Sequence, residues 1–583
     1  MAETIISPGV FQRENDISFI SPAPAEVGAC LIGPAVKGPV EIPTTVTSYN
    51  EYVRIFGETF TTGSESQEFL TSIAAKNYFS QGGNTLLVQR VVRNAADWNP
   101  ADSTHISASA NESVQPFTLQ TLGKGAIYNN AQDAADALDN TDYLNGDGSL
   151  KSGSADNLRW EISNINNSKG TFTLSVRRGD DSHKNKVVLE TFNNLSLDPN
   201  NPNYIEAAIG TQVKAISANK DNITVTGDYV NRSNFIRVSA VNSSHLNYLG
   251  NDGIQVGNDG TLSYSASLPI ATSGSFHDGD GANAYDGMKF FQNINSDTQG
   301  LSTGDYSGSL TLLNNADDFK FNIVSAPGII DQYHGSTVDL LIDLAENRGD
   351  CIAVVDLRGY GATVANVTGQ ADTLNSSYAA SYWPWLQTQS TLGRNVWAPA
   401  SVFIPGVYAF TDGASAPWFA PAGLVRGGLA GVIQAERRLS RAQRDTLYDS
   451  KVNPIATFPG SGIAVFGQKT LQTKSGALDR VNVRRLLIDL KEFIGNQAQN
   501  LVFEQNTVNT RNKFLAAVNP YLDSVVQRQG LYAFRVVMDD TNNTADVIDR
   551  NQLIGQIFIQ PAKTAEFIVL DFTVEPTGAT FGA

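Results

Sequence analysis

A strand–helix–strand pattern starts at residue 26, stops at residue 97 and resumes near residue 308. In the first stretch Val27–Ile32 reads as a buried strand, with turn signals at Gly33-Pro34 and Gly38-Pro39. Ser48–Gly57 reads as a short helix with a Ser N-cap, Glu51 at the third helical position and a Gly stop. Glu68–Gln81 is a second predicted helix, ended by Gly82-Gly83, and Thr85–Val92 a strand. After the break, Phe321–Val324 reads as a strand running into Ala326-Pro327-Gly328, Ser336–Asn347 as a helix and Cys351–Leu357 as a buried strand. Val338, Leu341, Ile342 and Ala345 give that helix its core face. Such lengths predict a crossover unit of an α/β sheet. Between the halves the pattern is different. Short β-type runs (Gly170–Val176, Lys186–Glu190, Asn222–Thr226, Phe235–Val241) alternate with Asn/Asp/Gly/Ser turns. Asn251-Asp252-Gly253 and Asn258-Asp259-Gly260 flank a predicted hairpin. The expectation is an α/β core with one or two β-rich domains inserted.

The ends have their own character. Residues 1–25 carry Ser7-Pro8-Gly9-Val10 and Ser21-Pro22-Ala23-Pro24, which favour extended backbone. An arm of this kind either frays or adds to another sheet. In residues 426–583, Val483, Leu486, Leu487, Leu490, Phe493 and Ile494 mark an amphipathic helix. Strands are predicted at Leu531–Met538, Leu553–Ile559 and Glu566–Val574, with a loop at Asp540–Thr544, and Pro576-Thr577-Gly578 begins a second candidate arm.

Charge narrows the partners. The 583 residues hold 41 basic and 58 acidic side chains, net -17. That balance argues against nucleic acid, which needs excess Lys and Arg to displace phosphate counterions. The distribution is uneven: residues 101–307 hold 23 acidic and 13 basic residues, and residues 426–513 hold 14 basic and 7 acidic. Two such surfaces meet different partners, or each other on neighbouring copies. The two cysteines, Cys30 and Cys351, sit in apolar runs and read as buried small hydrophobes rather than a disulfide framework. The first residues show neither the basic nor the apolar region of a signal peptide. No run approaches the roughly 20 apolar residues of a membrane span. A cytoplasmic start and no membrane insertion are the expectations.

Chemistry-bearing motifs fail one by one. His105, His183, His245, His277 and His334 show no metal-ligand spacing. Gly462–Thr470 nearly matches a phosphate loop, but Gln468 separates Gly467 from Lys469 and the stretch is strand-like. Asp278-Gly279-Asp280-Gly281 with Asp286 resembles a calcium loop that lacks its third ligand and closing Glu. Ser307-Gly308-Ser309 has no nucleophile-elbow context. Tyr382, Trp383, Trp385 and Trp418 lie in apolar runs and read as core rather than a ligand cage. No catalytic residue, cofactor or metal is predicted, and the chain is not read as an enzyme. Two basic sets remain. Arg437, Arg441 and Arg444 are spaced to share one helical face, and Arg480, Arg484 and Lys491 to share another, opposite the apolar stripe.

Many ordered motifs resemble one family. They are Ser7-Pro8-Gly9-Val10, Gly33-Pro34, Lys37-Gly38-Pro39, Tyr78-Phe79, Gly82-Gly83-Asn84 and Val88-Gln89-Arg90-Val91 towards the start of the chain. Ala326-Pro327-Gly328, Ser377–Trp385, Gly406–Asp412 and Trp418–Gly423 follow. Asn453-Pro454-Ile455, Asp479–Arg485, Thr541–Thr544, Val547–Asn551 and Ile559–Ala562 complete the set. The sequence resembles contractile tail sheath proteins, most of all those of long contractile-tailed bacteriophages, over about residues 1–97 and 308–583.

The resemblance implies an α/β (α+β) multidomain fold. It begins with an N-terminal arm (1–25) and a first segment of the sheath core (26–97). An inserted β-rich surface domain or domains (98–307) and a second segment of the α/β sheath core (308–425) come next. A C-terminal assembly domain (426–565) and a C-terminal strand and arm (566–583) end it. The resemblance implies a structural subunit that stacks as hexameric rings around an inner tube and contracts to drive the tube through a cell envelope. The implied partners are further copies of the chain, the inner tail tube protein, and baseplate and tail terminator proteins. The implied location is the virion tail, after assembly in the host cytoplasm. The alternative is the sheath of a non-phage bacterial contractile injection system, in a bacterial cytoplasm or a released particle. A β-rich surface- or carbohydrate-binding protein is a distant alternative. Arms of such subunits reach neighbours and complete a sheet, which assigns Val10, Phe11, Phe567, Val569, Phe572 and Val574 to inter-subunit strands. Arg437, Arg441, Arg444, Arg480, Arg484, Arg485 and Lys491 are the expected charged contacts to tube or neighbour.

Overall fold

Apolar strands buried on both faces organise the centre of the molecule. The computed structural model describes residues 28–62, 65–108, 115–125, 144–151, 153–167, 169–246, 268–277 and 294–566. The six expected arm-strand residues, the Asn251–Gly260 hairpin and the Asp278–Asp286 loop lie outside them.

Eight strands build the core sheet: β1 (Ala29–Gly33), β2 (Thr44–Val46), β3 (Leu86–Arg90), β4 (Ile323–Ile330), β5 (Ile352–Asp356), β6 (Ala379–Trp383), β7 (Val452–Phe458) and β8 (Gly462–Val465). Their spatial order is β2-β3-β1-β4-β5-β6-β7-β8. The six inner strands are parallel, while β2 and β8 run antiparallel at the edges. β1 pairs on one side with β3 (Cys30 beside Leu87) and on the other with β4 (Cys30 beside Val324). The halves of the chain on either side of the insertion therefore share one hydrogen-bond ladder.

Side-chain alternation sends each strand's residues to two cores. Ala29 and Leu31 face the helices α2 (Leu70–Ser80) and α4 (Ile404–Ala414), against Ile73, Tyr78, Val407 and Tyr408. Cys30 and Ile32 face the opposite layer, where α3 (Asp331–Arg348) supplies Val338, Leu341, Ile342 and Ala345. Both cysteines are buried, and burial pushes both thiols up. Tyr382, Trp383, Trp385 and Trp418 are core residues.

Local signals explain most boundaries. α1 (Tyr49–Phe56) has Ser48 accepting the Glu51 N–H and stops at Gly57, φ +74°. α2 starts at Leu70 rather than Glu68, because Glu65–Glu68 is the second strand of a hairpin with Thr59–Thr62. α3 starts five residues before the expected Ser336. His334 breaks the helical backbone there, and its Nδ1 accepts the Ile330 N–H, so a first turn precedes the predicted one. Residues 452–465 join the core sheet through β7 and β8 rather than the last unit.

Among its described residues the insertion is built on a seven-stranded antiparallel sheet. Its order is 188–196, 171–178, 158–166, 273–277, 100–103, 117–124, 236–241. Phe117, Trp160, Phe172, Leu174, Ile236 and Phe276 give it a core of its own, with the Phe117 and Phe172 rings stacked at 5.7 Å. Behind that core lies a buried ion cluster. Asp181 receives Arg177 at 2.7 and 2.8 Å and Arg159 at 3.0 Å, and all three side chains are almost fully buried. Asp181→Ala leaves two buried guanidinium groups without that counterion. It is expected to cost the inserted domain about 3–5 kcal/mol, read as a lower urea midpoint in Trp160 fluorescence.

Candidate assembly surface

The last unit is built on α6 (Val481–Gln499), α7 (Val508–Gln527) and a hairpin of β9 (Leu531–Val537) with β10 (Gln556–Pro561). Leu486, Leu490, Phe514, Val518, Leu522, Val525 and Leu531 form its core, and Trp418 reaches in from the preceding domain. The third expected strand, Glu566–Val574, begins in coil at Glu566 and otherwise lies outside the described residues. Among the described residues the hairpin is a two-stranded sheet. Among the described residues neither strand has a second ladder partner. Tyr532 and Phe558 stand exposed on the hairpin. Beside the hairpin opens a groove of about 1100 Å³, walled by Phe419, Arg441, Arg444, Phe466, Tyr532 and Glu566.

The basic residues divide by environment. Arg484 and Arg485 are buried, although Arg484 is spaced to lie opposite the apolar stripe of its helix. Arg484 lies 3.9 Å over the Tyr378 ring and donates to the Ser377 carbonyl at 3.2 Å. Arg485 donates to Asp412 on α4 at 2.5 Å and lies 4.6 Å over the Tyr408 ring. Burial opposes the Arg485 charge, but Asp412 outweighs burial and holds its pKa above the usual arginine value. Sequence spacing missed this because a helix that docks on a second domain buries two faces, not one. Lys491 is exposed and donates to the Tyr378 hydroxyl at 3.0 Å.

The other basic set is also rearranged. Helix α5 (Arg441–Asp449) starts after its N-cap Ser440, so Arg437 precedes the helix and shares no helical face with Arg441 and Arg444. Arg437 and Arg441 are exposed. Arg444 lies between the rings of Phe458 and Phe466, at 5.3 and 5.4 Å. Arg480 reaches Glu566 at 2.8 and 3.1 Å.

The crevice beyond the carboxyl ends of the parallel strands, where open α/β sheets bind ligands, is filled by the chain itself. Gln299 accepts the Leu70 N–H at the start of α2 and donates to the Pro327 carbonyl. Arg90 donates to the carbonyls of Ala35, Gly38 and Lys124. At the end of β5, the buried Asp356 accepts from the Ser401 N–H at 3.1 Å and its hydroxyl at 2.5 Å. Gly462–Thr470 is the edge strand β8 and its exit, with Gln468 turned to Thr564 and Glu566. Among the described residues no group of three or more His, Cys, Asp or Glu could hold a metal ion, and no helix is long and apolar enough to cross a membrane.

The phage tail sheath protein central domain matches residues 299–471, and the phage tail sheath C-terminal domain matches residues 473–575. Residues 299–471 and 473–575 belong to the phage tail sheath family. The two sheath domains meet between β8 and α6. The chain is 39% identical over 243 residues to the tail sheath protein of Vibrio phage KVP40, covering 41% of this chain. It is 40% identical over 187 residues to that of Enterobacteria phage T4, covering 32%. These matches span 36% and 28% of the relatives' own lengths, so the chain covers about a third of each. The sheath tail protein of Listeria innocua shares the fold, with a TM-score of 0.51 at 10% identity over 92% of this chain and 95% of that one.

Two measurements check the interior of the sheath domains. Arg485→Ala removes a buried side chain and leaves the half-buried Asp412 without its counterion; it is expected to cost about 2–3 kcal/mol, while Arg437→Ala at the surface stays within about 0.5 kcal/mol, both by thermal unfolding. Burial raises Asp356 to about 7, with the Ser401 donors only partly offsetting it. Its folded state therefore holds a proton that the unfolded state releases. This contribution is complete below the unfolded value of 3.8 and lost as pH rises through about 7. Relative to Asp356→Asn, the parent is expected to lose up to about 1.4 kcal/mol per pH unit between pH 5 and 7.

Proposed function

We propose that this chain is the structural subunit of a contractile tail sheath. Copies stack as six-membered rings around an inner tube, and the assembly shortens to drive that tube through a cell envelope. The reading is carried by one observation: the two tail sheath domains span residues 299–471 and 473–575 in succession. The hairpin of β9 and β10, two-stranded among the described residues, agrees with it. Segments 1–25 and 567–583 of neighbouring copies would add strands there by main-chain hydrogen bonding, which survives rearrangement of other contacts. Val10, Phe11, Phe567, Val569, Phe572 and Val574 are the residues assigned to those strands.

On this reading the work is mechanical rather than catalytic. Bodies move rigidly about their arms, and the contracted state gains inter-subunit contacts that the extended state lacks. Among the basic residues, the exposed Arg437, Arg441 and Lys491 are the ones free to meet a neighbour or the tube without unpacking the body. The partners are further copies, an inner tube protein, a baseplate and a tail terminator, in a virion tail. The curated relatives are phage proteins, which favours a phage tail over an injection system.

Negative-stain microscopy of the chain expressed with the tube protein from its own locus tests this. Stacked six-membered rings on tubes are the expected result, and discrete monomers under all conditions overturn it. Combined reversal of Arg437, Arg441 and Lys491 to Glu is expected to leave the melting temperature within about 2 °C and to reduce assembly on the tube at least tenfold.

A further inference from the structure

Beyond β10 the chain runs as coil to Glu566, and Lys563 and Ala565 in this stretch are exposed. Four donor contacts nevertheless converge on the single carboxylate of Glu566. Arg480 grips it with two nitrogens, Nε at 2.8 Å and Nη2 at 3.1 Å. Gln468 Nε2 donates at 2.9 Å and the Tyr448 hydroxyl at 2.9 Å. Gln468 also holds the Thr564 hydroxyl at 2.6 Å, and the Ala562 N–H bonds the Gly530 carbonyl at 3.0 Å. Lys469 sits 4.6 Å over the Tyr448 ring and adds positive charge behind the group. Burial alone would raise the Glu566 pKa; Arg480, Gln468 and Tyr448 outweigh it and hold the carboxyl below its usual range.

The donors come from three separate regions of the body: α5 (Tyr448), the exit of β8 (Gln468) and the N-cap of α6 (Arg480). An exposed ion pair of ordinary kind contributes little. A bidentate, charge-assisted grip supported by two further donors is stronger and directional. It sits immediately before residues 567–583 in the chain. We infer that Tyr448, Gln468 and Arg480 form a clasp on Glu566 that fixes the point from which residues 567–583 continue. The inference rests on the proposed sheath reading, in which that segment joins a neighbouring copy. Pull on the segment then passes through Glu566 to Arg480 and α6, and from α6 through Arg484 and Arg485 into the core. The clasp is a positioning device: it sets the angle at which the segment is offered to the next subunit.

The test uses the full chain with Glu566→Gln, Arg480→Glu, and the exchanged pair Arg480→Glu with Glu566→Arg. Hydrogen exchange of amides 562–566 reads the clasp in the free subunit, with no assembly required. Both single variants are expected to exchange about tenfold faster than the parent, with the melting temperature within about 2 °C, and the exchanged pair to return toward the parent. Assembly on tubes is the second readout, expected to fall in the single variants and recover in the pair. Unchanged exchange in both single variants overturns the clasp. Faster exchange with normal assembly overturns its role in joining copies. A parent that forms no tubes overturns the sheath reading instead, while the exchange result still decides whether Glu566 is held.

Discussion

The ladder on both sides of β1 is the constraint on which the rest of this molecule depends. Five residues, Ala29–Gly33, hydrogen-bond to a strand about 55 residues later and to one nearly 300 residues later. Without β4 in place, β1 and β3 would expose one apolar face and one open edge. Folding of the centre therefore waits on a non-local contact, which is slow to find but leaves no unpaired edge inside the sheet. The antiparallel edge strands β2 and β8 are short, as edges that must not template aggregation usually are.

A second dependence runs through α6. Its first two turns carry Arg484 and Arg485 into the preceding domain, so the sheath C-terminal domain is joined to the central one by aromatic, carbonyl and carboxylate contacts as well as by chain connection. Relative motion of these two domains would strand charges in an apolar setting, at a cost of several kcal/mol.

The fold was largely legible because its centre follows simple rules. Apolar runs such as Cys351–Leu357 and a capped stretch such as Ser48–Gly57 mark their elements by periodicity and end chemistry. Most of what sequence spacing misread shares one cause: tertiary contacts replaced local ones. Gln299 caps α2 from 229 residues away, so the helix start carried no local signal. Arg484 and Arg485 were expected to contact tube or neighbour, yet Tyr378, Tyr408 and Asp412 supply aromatic faces and a counterion within the chain that no spacing rule contains. Arg437, Arg441 and Arg444 obey helical spacing, but Ser440 is a better helix start than anything before Arg437. The importance of Glu566 was invisible for the same reason. Its partners lie 86, 98 and 118 residues away.

The two ends of the insertion lie side by side. The Asn94 N–H donates to Asp305 at 3.3 Å, just after β3 and just before the chain returns to β4. A guest that enters and leaves through one doorway imposes almost no closure entropy on its host, and the host sheet keeps its register whatever the guest is. The seven-stranded domain is thus a replaceable ornament in the engineering sense. Another domain with neighbouring termini could be seated at the same doorway, provided it supplies an acceptor in place of the Lys124 carbonyl to which Arg90 donates at the end of β3.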